Sequence, residues 1–159
     1  MAQSSGFDMS KLSLGSKIVL GAGVLLLLDS FLFAWQKVCF EFAGITGACG
    51  KASMWGGDAG FAGLLAGLLV IALIVWEGLA LAGTNLNVGM PASKISAYLG
   101  FGVLGFVIIK FLLIMTNYVS FGAFLGLIFA LGVGYGAWMR FQEPETSGAP
   151  PMPGGDASA

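Results

Sequence analysis

Four apolar runs dominate the chain, at Ile18–Trp35, Gly60–Gly83, Ile95–Met115 and Val119–Met139. Each is close to the ~20 residues a helix needs to cross ~30 Å of hydrocarbon. A soluble core offers no alternative home for them. Only 9% of the 159 residues are charged against 57% hydrophobic, whereas a water-facing domain carries roughly a quarter charged residues. A membrane barrel would show shorter segments that alternate apolar and polar side chains. Helices satisfy their own backbone hydrogen bonds, which lipid cannot do. The expected fold is therefore an all-α membrane protein, an antiparallel four-helix transmembrane bundle. It divides into an N-terminal segment 1–17, a helical domain 18–141 with an outer loop at 36–59, and a tail 142–159. That tail is rich in Pro, Gly, Ala and Ser and is expected to be disordered.

Charge places the ends. Lys11, Lys17, Lys94 and Arg140 flank one side of the runs, and Lys37 and Lys51 flank the other. The positive-inside tendency puts the richer side in the cytoplasm, with both termini, in a multi-pass protein of the cell membrane. Cys39 and Cys49 then fall in the outer loop, where an oxidising compartment lets them form a disulfide. The first run is too long for a signal-peptide core, carries Asp29 and is followed by no clear A-x-A site. It reads as a retained helix. Ser93 is placed to cap the third helix, and the tight turn at 116–118 makes the third and fourth helices neighbours.

Three ionisable residues lie within the spans: Asp29, Glu77 and Lys110. Such groups need a partner or water. Counting 1.5 Å per residue, Asp29 stands about 18 Å above the cytoplasmic end, Lys110 about 22 Å and Glu77 only about 9 Å. Asp29 and Lys110 are thus opposite charges at matching height, and are expected to pair. Glu77 is expected at the cytoplasmic interface beside Trp76, or against a partner subunit. The pair could serve as a gate or proton relay. A relay needs a chain of titratable groups, so a buried pair fixing helix register is favoured.

Small residues form stripes. Gly122, Gly126, Ala130 and Gly134 recur at every fourth position, and Gly63 and Gly67 do the same in the second run. Such spacing lets backbones approach closely in lipid. It predicts packing either within the bundle or between subunits. Trp35 and Tyr118 would mark one membrane boundary, and Trp76 and Trp138 the other.

The stretch Asp29-Ser30-Phe31-Leu32-Phe33-Ala34-Trp35, the cysteine-bearing loop after it, and Gly134-Tyr135-Gly136-Ala137-Trp138-Met139-Arg140 together resemble uncharacterised four-span integral membrane proteins of actinobacterial type. The resemblance implies the four-span fold and no activity. The Cys39–Cys49 spacing is also similar to the first outer loop of claudin-like proteins, but their larger second loop and Gly-Leu-Trp element are missing. Asp29 stands where small multidrug-resistance transporters carry an acidic residue, but its surroundings differ. The Cys-x-x-Cys pair of vitamin K epoxide reductase-type bundles is absent.

With no histidine, zinc sites, His-based acid/base catalysis and Ser-His-Asp triads lose their usual materials. A net charge of −1 gives no basic stripe for nucleic acid. The expectation is a non-enzymatic structural or accessory protein, without cofactor or metal. It would assemble in the lipid bilayer with itself or with other membrane subunits, through its small-residue faces and disulfide-bridged loop. The alternative is a small transporter or channel lined by Asp29, Lys110 and Glu77.

Overall fold

A computed structural model describes residues 10, 12–42, 44–84, 88–116 and 119–144. The chain runs α1 (Leu14–Leu32), β1 (Gln36–Phe42), β2 (Ile45–Ala52), α2 (Gly60–Leu81), α3 (Ala92–Ile114) and α4 (Phe121–Gln142). All four helices are long and apolar enough to cross a membrane, the build of a multi-pass membrane protein. They pack in a ring, α1 on α4, α4 on α3, α3 on α2 and α2 on α1. Valine, alanine and glycine fill much of the centre, as at Val19, Ala66, Val70, Val103, Val107, Ala130 and Val133. Larger side chains such as Phe61, Leu68, Ile128 and Leu131 point outward, where lipid takes the place of water.

Local chemistry sets the helix ends, and shifts them from the apolar runs. Ser13 accepts from the Ser16 amide at 3.2 Å, so α1 starts at Leu14, four residues earlier than Ile18. It stops at Leu32 because Phe33 and Ala34 lead into the sheet, leaving Trp35 outside the helix. Pro91, not Ser93, is the N-cap of α3, with its carbonyl accepting from Lys94 and Ile95. Proline suits that position because the first amides of a helix have no partner anyway. At the end of α2, Gly83 takes φ +73°. The Thr84 amide then reaches Leu79 O and the Gly83 amide reaches Ala80 O, satisfying the last carbonyls of the helix.

The expectation of an all-α chain is corrected by a two-stranded antiparallel sheet in the 36–59 loop. Cys39 faces Cys49 directly across it, and the two are disulfide-bonded. Trp35 continues the pairing on both sides. Its amide donates to Ala52 O and its carbonyl accepts from the Ser120 amide, both at 2.9 Å. Gln36 bridges to Val119 on that second side. The hairpin is thereby tied to the start of α4, and α4 begins at Phe121 rather than 119. Residues 145–159 of the expected tail, and Tyr118, lie outside the described residues.

Candidate functional site

The buried polar groups gather at the two ends of the bundle. At the hairpin end, Trp35 folds back from the foot of β1 and is fully buried. Its Nε1–H donates to Asp29 Oδ2 at 3.0 Å. Gly126 of α4 makes room for the ring: a Cβ there would overlap the indole. Gly122 likewise admits Phe33 and the Ala34 carbonyl. Trp35 is thus a wedge inside the bundle, not an interfacial marker.

The segment between β2 and α2 also turns inward. Met54 is fully buried, and its carbonyl occupies the space a side chain at Gly63 would need. Trp55 lies over Gly67 in the same way. It stacks on Phe31 with ring centroids 5.3 Å apart and donates to Ser30 Oγ at 3.2 Å. Gly57 at φ +71° and Ala59 at φ +54° reverse the backbone here, a conformation that alanine adopts only when its surroundings hold it. Lys110 of α3 supplies the hold. Its Nζ donates to Gly56 O at 2.9 Å and Asp58 O at 2.8 Å.

The expected Asp29–Lys110 pair is therefore not formed. The two residues do lie at the same end, but the folded-back loop gives each a nearer partner. Asp29 takes the Trp35 indole and Lys110 takes two backbone carbonyls. Carbonyls are an accepted home for an ammonium inside a membrane.

The second cluster is at the far end. Glu77 is fully buried. It accepts from Ser96 Oγ of α3 and lies 3.4 Å from Arg140 Nη2 of α4. Arg140 Nη1 also pairs with Glu143 at 2.7 Å. Neither an interfacial position nor a partner subunit is needed for Glu77; three helices of the same chain meet on it. Trp76 stays near this end, its indole 3.4 Å from Ala92 O, and Trp138 is half exposed beside Phe141. Two buried carboxylate oxygens, Asp29 Oδ1 and Glu77 Oε2, have no hydrogen-bond partner within the described residues.

The small-residue stripes are filled by the chain itself. Gly63 and Gly67 receive the segment between β2 and α2. Gly122 and Gly126 receive residues 33–35, and Gly134 receives Leu104 of α3. Ala130 lies in the core between them. The helix-to-helix approach that small residues permit falls partly elsewhere, at Gly15 and Gly136, where α1 and α4 nearly touch, and at Gly100 against Ala137.

The sequence reading sets Trp35 at a membrane boundary and assigns no role to Trp55 or to the Gly56–Ala59 turn. The signal for the hairpin was present: Val38, Phe40 and Phe42 alternate with Cys39 and Glu41 before Ala-Gly at 43–44, the pattern of a strand entering a turn. Comparison with protein-family models, with curated proteins and with solved structures finds no match.

Proposed function

We propose that the chain is a non-enzymatic structural or accessory protein of the cell membrane. In this reading it is an antiparallel four-helix transmembrane bundle with both termini cytoplasmic, and it presents the Cys39–Cys49 hairpin at the outer surface for assembly with other membrane subunits or a second copy. The observation that carries the reading is where the intramembrane polar groups are spent. Lys110 fastens the loop after the hairpin, and Asp29 fastens the residue before it. Burying charge in a membrane is costly, and here the cost is met at both roots of one surface element. A rigid hairpin loses little entropy on binding. Because the glycine stripes are filled from within, the reading gives the partner contact to the hairpin rather than to the helix faces. The positive-inside count supports the orientation.

Gentle extraction from native membranes, followed by mass spectrometry of all co-migrating chains, tests this. A defined complex or oligomer is expected, and the Cys39→Ser/Cys49→Ser variant is expected to lose it while the helices persist. A monomer that carries no partner from native membranes would remove the reading.

One observation favours transport as a second reading. Asp29 Oδ1 and Glu77 Oε2 are buried acceptors with no partner among the described residues, and such groups mark ion or proton paths in other membrane proteins. Reconstituted vesicles decide it, since proton or cation flux must then fall to background in Asp29→Asn.

A further inference from the structure

A groove of about 520 Å³ runs between the hairpin and the start of α4, and neither the packing nor the assembly reading uses it. Lys37 and Lys51 stand directly opposite each other on β1 and β2 and line it together with Ser53 and Ser120. Like charges at opposed sheet positions repel. Neither lysine has an ion-pair partner among the described residues. An anion held between them would turn that repulsion into two attractions. The rest of the groove is apolar, with Phe31 and Phe121 in its wall. These rings are 65% and 67% exposed and belong to the hairpin-side ends of α1 and α4.

Cations next to exposed rings at the end of a membrane span match one molecule in both parts. The phosphate of a lipid sits at headgroup level, where basic side chains attract it, and its acyl chain continues into hydrocarbon. A free phosphate would gain nothing from the phenylalanines. A zwitterionic lipid would bring its own cation to the lysine pair. We infer that this groove binds an anionic phospholipid, with its phosphate between Lys37 and Lys51 and its upper acyl chain against Phe31 and Phe121. The inference rests on the chain lying in a bilayer and on no protein partner, so it and the assembly reading fail separately.

Native mass spectrometry of the full chain in detergent, titrated with phosphatidylglycerol or phosphatidylcholine, tests it. Phosphatidylglycerol is expected to bind on the order of tenfold more tightly than to Lys37→Gln/Lys51→Gln, each lysine adding to the attraction for an anionic headgroup. Both lysines are exposed, and an unchanged thermal unfolding curve would show that the variant keeps its fold. Phe121→Ser is expected to weaken long-chain phosphatidylglycerol and to leave a short-chain form unaffected. Equal binding of the two headgroups, or unchanged affinity in the double variant, overturns the inference. So does displacement of the lipid by millimolar inorganic phosphate with Phe121→Ser without effect, which would assign the groove to a free anion.

Discussion

Lys110 donates to the carbonyls of Gly56 and Asp58, so its removal leaves two acceptors without a donor at a turn that already holds Ala59 at positive φ. Lys110→Met keeps most of the volume and deletes the ammonium. It is expected to cost about 1–3 kcal/mol, the price of unsatisfied polar groups less the relief of not burying a charge. Faster protease cleavage at 53–59 with the helices intact would report it; an unchanged loop would refute the role. Glu77 presents the converse case, a buried acid held by Ser96 and Arg140. Glu77→Gln retains an acceptor for the serine but leaves the guanidinium only Glu143. It is expected to destabilise by about 3 kcal/mol, at the low end for a broken buried pair because that second carboxylate remains. Denaturant unfolding in detergent measures it, and a loss under about 0.5 kcal/mol would mean the pair behaves like a surface contact.

At the level of helices and strands, glycines that look alike in sequence do different work. A methyl group at Gly126 would overlap the Trp35 indole, whereas one at Gly105 meets nothing. Gly126→Ala should lower stability by about 1–3 kcal/mol through overpacking, and Gly105→Ala should raise it by about 0.5–1 kcal/mol through helix propensity. Thermal unfolding of the two variants separates them, and equal effects would discard the wedge. That difference also shows what was legible beforehand. Hydropathy and length locate all four helices, since both depend on sequence alone. The starts of α1 and α3 move because Ser13 and Pro91 cap them, local effects that an apolar run does not record. Height along the bundle was also legible, because rise per residue is fixed, and Asp29 and Lys110 do lie at one end. Their partners were not. Pairing depends on which way each residue faces and on whether other chain enters the gap, and here residues 33–35 and 54–58 enter it. Stripes of small residues announce a close approach without naming the visitor.

For the whole molecule, the four helices and the grouping of Gly15, Glu77, Ser96 and Arg140 away from the hairpin translate into a simple labelling pattern. Single cysteines placed at Ser13 and Thr84 in a Cys39→Ser/Cys49→Ser background should react only after the inner face of the membrane is opened, and one at Lys37 should react from outside. Any other pattern would overturn the proposed orientation. The clasp between Lys110 and the turn at 56–58 joins the third helix to a segment made long before it. During synthesis the ribosome completes the hairpin and the second helix before Lys110, more than fifty positions downstream, so the turn lacks these two hydrogen bonds until α3 is made. A product cut short before α3 would therefore carry its hairpin on a root that lacks the Lys110 clasp.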